Sequence, residues 1–131
     1  MTIAHACVLI ACLLPLVCAV IAKSGGIGKR RSEGGFDNHN PRQWMTSLSG
    51  HHARANAAQQ NSFEGLPLFI AGVLIAQQAG VSASLVNGLA IGYIACRLAY
   101  ITAYLADTAT LRSLFWAAGI ACCVALFIAA F

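Results

Sequence analysis

Seven polar side chains lie in or beside apolar stretches of this 131-residue sequence, and their spacing sorts them into three groups. Arg54, Asn61 and Glu64 stand at i, i+7 and i+10, which keeps them on one face of a helix. Gln59 and Gln60 flank that stripe, and Pro67 removes the hydrogen bond to the Phe63 carbonyl, predicting a bend near Glu64. Arg97, Tyr100 and Tyr104, at i, i+3 and i+7, share a second face. Arg112, after Asp107-Thr108-Ala109-Thr110-Leu111, opens another apolar stretch. A carboxylate in apolar surroundings needs a cationic or hydrogen-bonding partner. Arg97 can pair with Glu64 or hold a ligand carboxylate, and the phenols can donate hydrogen bonds to a polar ligand or an anionic sulfur. A structural Glu64–Arg97 pair with interfacial tyrosines explains the same residues equally well. Arg112 reads either as a site cation or as an arginine snorkelling to lipid headgroups.

The elements that position these groups belong in a membrane. The composition is 59% hydrophobic and 9% charged, where a soluble domain carries about a quarter charged residues. A chain this short cannot bury so much apolar surface in water. Apolar stretches and their polar extensions predict helices over residues 3–22, 47–79, 84–105 and 111–131, joined by a loop over 23–46, in one domain spanning 1–131. About 20 residues cross a hydrocarbon core of roughly 30 Å, and a helix satisfies its own backbone there. The expected fold is an all-α integral membrane bundle of four transmembrane helices. An ionisable group inside such a bundle is a site candidate by default.

Charge placement predicts orientation. Lys23, Lys29, Arg30, Arg31, Arg42 and Arg54 fall between the first two apolar stretches, while Gly80-Val81-Ser82-Ala83 carries no charge. The first and third loops are therefore expected in the cytoplasm and both termini on the opposite side. The start, Met-Thr-Ile-Ala-His, lacks the basic residues of a signal peptide, so the first helix is expected to be retained. The Gly/Asn/Pro-rich first loop reads as turns or flexible connections. Gly25-Gly26-Ile27-Gly28-Lys29 lacks the glycine spacing and the following Ser/Thr of a phosphate loop. The six cysteines form no Cys-x-x-Cys pair and read as small packing residues. His51 and His52 diverge on a helix, and His5 and His39 are isolated, so no metal site is expected. No basic–aromatic interleaving suggests nucleic acid.

The segment Arg54-Ala55-Asn56-Ala57-Ala58-Gln59-Gln60-Asn61-Ser62-Phe63-Glu64-Gly65-Leu66-Pro67-Leu68-Phe69 resembles the second-helix signature of the MAPEG family, the membrane-associated proteins in eicosanoid and glutathione metabolism. That signature runs an arginine, matched by Arg54, then Arg-Ala-(His/Gln)-x-Asn-x-x-Glu, then Pro-Phe or Pro-Leu-Phe. Arg97-Leu98-Ala99-Tyr100-Ile101-Thr102-Ala103-Tyr104 resembles the third-helix motif Arg-x-x-(Tyr/His)-x-x-x-Tyr, and Arg112-Ser113 resembles the arginine that opens the fourth helix. Three pieces in order, on a chain with this helix count, identify a resemblance to the bacterial-type members, which implies a bacterial inner membrane.

The resemblance implies a homotrimer of four-helix protomers with glutathione as co-substrate between subunits near the cytoplasmic face. It implies that Arg54, Asn61, Glu64, Arg97, Tyr100 and Tyr104 line or support that site, and that Arg112 stabilises the glutathione thiolate. A guanidinium beside a thiol favours the thiolate, the nucleophilic form. The implied activity is a glutathione transferase or peroxidase acting on hydrophobic electrophiles or lipid hydroperoxides dissolved in the bilayer. The sequence departs from the family pattern at Ala57, where an arginine is expected, so one charge-assisted anchor for a glutathione carboxylate is absent. Ala57 favours the alternative, a non-catalytic lipid-binding or scaffold protein of the same fold, and the Tyr100–Tyr104–Arg112 set favours the enzyme.

Overall fold

The computed structural model describes residues 2–131, and among them every regular element is helical. Helix α1 spans Ile3–Ser24, a 3-10 turn spans Arg31–Glu33, and a short α2 spans Pro41–Thr46. The long helices α3 (Gly50–Gln78), α4 (Ala83–Leu105) and α5 (Ala109–Ala129) follow. Helices α1, α4 and α5 are long and apolar enough to cross a membrane. Helix α3 has 29 residues, about 43 Å at 1.5 Å each, but its first half is polar.

Helix α3 packs against α1, α4 and α5. The face that α1 buries is Ala4, Cys7, Ala11, Pro15, Cys18 and Ala22, all small, so the helices can approach closely. Leu9, Leu13, Leu16 and Val20, on its other side, are about half exposed or more, as suits contact with lipid. Three of the cysteines, Cys7, Cys18 and Cys123, are buried between helices, in the packing role expected of them.

Local chemistry sets the helix ends. Thr2 Oγ1 accepts from the His5 N–H, opening α1. Asn87, a polar interruption of the third apolar stretch, accepts the Ala4 N–H through Oδ1 at 2.9 Å and so ties α1 to α4. Helix α3 closes with Gly80 at φ +77°, while the Val81 and Gly80 N–H groups donate to Ala76 and Gln77. Helix α4 closes in the same way with Asp107 at φ +59°, where Thr108 and Asp107 donate to Ala103 and Tyr104.

The end of the first loop departs from the sequence expectation. Helix α3 starts at Gly50, not Ser47, because Gly50 takes φ +55° and turns the chain into the helix. Between α1 and α3 the chain makes the turns expected of its Gly/Asn/Pro chemistry, and they close around a small buried centre of Gly26, Gly35 and Trp44. Trp44 is buried, donates its Nε1–H to the Gly34 carbonyl at 3.2 Å and meets Phe36 edge-on at 5.1 Å. A β-carbon at Gly26 would lie 2.6 Å from the Trp44 ring, so glycine is what lets the indole seat. Arg31 and Asp37 pair at 3.0 Å. The backbone N–H of His39 donates to the Asp37 carboxylate, and together with Arg31 it holds that carboxyl below the usual carboxylate range.

Two apolar clusters fill the bundle. One joins Phe69 and Val73 of α3 to Val86, Tyr93, Cys123 and Leu126. The other joins Cys18 and Ala58 to Tyr100 and Ile101. Along α3 and α4 the polar layer of Asn61, Ser62 and Arg97 lies between them.

Candidate functional site

Arg97 is 4% exposed, a charge buried amid apolar helices. Its two terminal nitrogens donate to Asn61 Oδ1, each at 3.1 Å, and one also donates to Ser62 Oγ at 3.1 Å. The Ser62 hydroxyl in turn donates to the Ala58 carbonyl at 2.7 Å. The guanidinium also lies 4.4 Å from the centre of the Tyr100 ring. Hydrogen bonds plus a π face are what an obligatorily charged side chain needs when it leaves water.

Of the two readings open for Arg97, the direct Glu64–Arg97 ion pair does not form. Asn61 stands between the two, accepting from Arg97 through its oxygen and donating through Nδ2 to Glu64 Oε2 at 3.4 Å. Glu64 itself is exposed on α3. A shared helical face puts residues on one side of a helix, but side-chain reach decides which partner each one meets.

From Arg97 a row of two rings ending in a second cation runs toward the loop between α4 and α5. Tyr100 meets Tyr104 edge-on at 5.6 Å, and the Arg112 guanidinium lies 4.6 Å from the Tyr104 ring centre. The i, i+3, i+7 spacing on α4 supplies the tyrosines, and the tight 106–108 turn brings the first turn of α5 back against them. A cavity of about 270 Å³ opens on this row, lined by Asn61, Tyr100, Tyr104, Arg112, Ser113 and Trp116. A smaller one of about 140 Å³ shares Asn61 and Trp116 and adds Glu64, Tyr93 and Arg97. Six of the seven expected site residues thus meet around two adjoining cavities.

Arg54 is the one left out. It donates through Nε and Nη2 to the Leu105 carbonyl at 3.3 and 3.2 Å and lies 3.9 Å from Asp107. A cation on the last carbonyls of α4 suits the negative end of that helix. Arg54 lines neither cavity.

Tyr93, Ser62 and Trp116 are the residues that the sequence reading missed. Tyr93 stacks on Phe69 with ring centres 3.9 Å apart and stands four residues before Arg97, while Trp116 stands four after Arg112. The same-face spacing that found Tyr100 would have found both. A larger cavity, about 560 Å³, lies elsewhere and contains none of the seven residues. Convergent cations, phenols and an amide, and not size, make the smaller pair the candidate site.

Chemically, two guanidinium groups and three phenols around a space whose one carboxylate sits at the rim favour an anionic ligand. The family model that matches this chain is that of the MAPEG family, over residues 3–131. No curated protein matches it.

Proposed function

The chain belongs to the MAPEG family, and from that premise we propose that it is a membrane-embedded glutathione-dependent transferase or peroxidase acting on hydrophobic electrophiles or lipid hydroperoxides. The observation that carries the reading is the Arg97–Tyr100–Tyr104–Arg112 row opening onto a cavity. Arg112 is half-buried, its one ring contact is Tyr104, and it is the free cation best placed to hold a thiolate. Tyr100 and Tyr104 line the same cavity, and their hydroxyls can donate to a developing negative charge. Glu64, exposed at the rim, suits the ammonium group of a γ-glutamyl peptide. Arg97, buried and hydrogen-bonded, positions Asn61 and Tyr100.

The chemistry follows from the thiolate. Its sulfur attacks an electrophilic carbon and displaces or adds, or it attacks the O–O bond of a hydroperoxide to release the alcohol. In the second case another glutathione completes the disulfide and water forms. Exposed apolar faces on α1 and α5 give such substrates access from lipid. The assembly proposed is a homotrimer of the bacterial type, with all four long helices spanning the bacterial inner membrane, the first and third loops cytoplasmic and both termini opposite. Both cavities open at the protein surface, so a neighbouring protomer would complete the walls.

Conjugation of glutathione to a generic apolar electrophile, lost in Arg112→Ala while the melting temperature holds, tests the proposal. Equal activity in both proteins would refute it. One observation favours a second reading, a non-catalytic lipid-binding or scaffold protein: Ala57 stands where the family pattern has an arginine. Purified protein without conjugation or peroxidase activity would support that reading.

A further inference from the structure

Tyr93 stands one helical turn before the Arg97–Tyr100–Tyr104 motif and outside it. Its side chain is 2% exposed, and stacking on Phe69 fixes its ring, with centres 3.9 Å and planes 13° apart. Every fully buried side-chain nitrogen or oxygen among the described residues has a hydrogen-bond partner. The Tyr93 hydroxyl meets none among those residues, so its oxygen reaches open space, and the space that Tyr93 lines is the 140 Å³ cavity. A buried phenol usually finds an acceptor, and one held without it at a cavity is in place for an acceptor that a ligand brings. Gly65 makes the room: a β-carbon there would lie 3.0 Å from the Tyr93 Oη. Glycine weakens a helix interior, and with the ring held by Phe69 the hydroxyl could not yield to a side chain at that position.

The cavity has two walls. Asn61, Glu64 and Arg97 form a polar one, and Trp116, Gly119 and Ile120, on one face of α5, form an apolar one. It shares Asn61 and Trp116 with the cavity that Arg112 lines. A thiolate held by Arg112 therefore has this smaller space beside it. A volume of about 140 Å³ admits the reacting group of an apolar molecule whose remainder stays in lipid. We propose that Tyr93 is the general acid that protonates the oxygen of the second substrate. The inference rests on the glutathione reading of the site and gives it a preferred substrate class, alkyl and lipid hydroperoxides. The thiolate sulfur attacks the terminal oxygen, the O–O bond breaks with its electron pair on the alkyl-bound oxygen, and Tyr93 gives that oxygen its proton. The products are the alcohol, glutathione sulfenic acid and the Tyr93 phenolate, and the fixed charge of Arg97 lines the same cavity. A second glutathione thiol attacks the sulfenic sulfur, and the disulfide forms with release of water. The proton that the first glutathione lost on becoming the thiolate restores the phenol. A phenol is a much stronger acid than an aliphatic alcohol, so the transfer to the departing oxygen runs downhill.

The test compares two acceptors on the purified full chain in lipid nanodiscs with glutathione. Cumene hydroperoxide needs a proton on its leaving oxygen, whereas a chlorodinitrobenzene releases chloride and needs none. Tyr93→Phe keeps the ring on Phe69 and removes only the hydroxyl. It should lower kcat for the hydroperoxide about 100-fold, as loss of a general acid does, and kcat for the halide by no more than a few-fold. Gly65→Ala, which crowds the hydroxyl, should shift the ratio of the two rates in the same direction. Across a series of alkyl hydroperoxides, the rate of Tyr93→Phe should depend more steeply on the acidity of the departing alcohol than that of the unmodified protein. Equal falls for both acceptors would leave Tyr93 a packing role, and an unchanged hydroperoxide rate would assign the proton to another donor; either overturns the proposal. Halide conjugation without hydroperoxide reduction in the unmodified protein would overturn it too, while the glutathione reading stood. Turnover of neither acceptor by the unmodified protein would overturn both.

Discussion

Replacing Asn61 by leucine should damage this protein more than removing the buried charge that Asn61 serves. Asn61 Oδ1 accepts two N–H groups of Arg97, each at 3.1 Å, and that guanidinium is 4% exposed. Hydrogen bonds to charged groups contribute about 1.5–3 kcal/mol each, less when they share one acceptor. Arginine does not deprotonate, so Asn61→Leu leaves a buried cation with one remaining side-chain acceptor, Ser62 Oγ. The expected cost is about 3 kcal/mol. Arg97→Met removes the charge together with its desolvation penalty. Ser62 then still bonds the Ala58 carbonyl, Asn61 Nδ2 still reaches Glu64, and the one acceptor left without a donor is Asn61 Oδ1. That cost is about 1–2 kcal/mol. The double variant should therefore melt above Asn61→Leu alone. At roughly 2–4 °C per kcal/mol, Asn61→Leu should lower the melting temperature in detergent by about 10 °C, and Arg97→Met by about half as much. Arg97→Met melting below Asn61→Leu, or a double variant showing the full sum of both losses, would refute the buried-charge argument.

Three further outcomes are expected. Arg112→Ala should lower glutathione conjugation about 100-fold or more, as loss of one preorganised charge donor does, and shift the melting temperature little, because Arg112 touches mainly Tyr104; Arg112→Lys should recover part of the rate. Trp44→Ala removes a buried indole and its bond to Gly34, at a cost of about 3 kcal/mol confined to the loop; limited proteolysis should cut within residues 25–46 while α1 and α3 to α5 remain helical by circular dichroism. Asp37 has a depressed carboxyl in the folded loop, so its contribution is fully present above the usual carboxylate range and lost as pH falls through the lower folded value; protease protection of the loop should drop on acidification below about pH 4, and Asp37→Asn should flatten that dependence.

The elements were legible where a single period governs them. Apolar runs of spanning length gave α1, α4 and α5, and the 3.6-residue period put Arg97, Tyr100 and Tyr104 on one face, where the structure has them. The same period misled at Arg54. Ten residues of helix separate Arg54 from Glu64, about 15 Å along the axis, so one face does not mean one site, and the end of α4 holds Arg54 instead. The Arg97–Glu64 pair failed for a related reason, because Asn61 lies one turn closer and offers an acceptor. Helix α2 and the packed loop were invisible because six residues of helix carry no periodic signal. Trp44 holds them through Gly34, Phe36 and the space at Gly26, contacts that sequence spacing does not encode.

The central claim is that the Arg–Tyr row binds glutathione and holds it as the thiolate. Glutathione titrated into detergent-purified protein at neutral pH, followed by calorimetry and by the ultraviolet absorbance of the thiolate, tests it most directly. The account predicts saturable binding with a thiolate signal in the wild type, binding without that signal in Arg112→Ala, and weakened binding in Arg97→Ala. No binding up to millimolar glutathione would contradict it, and so would a thiolate signal that survives Arg112→Ala.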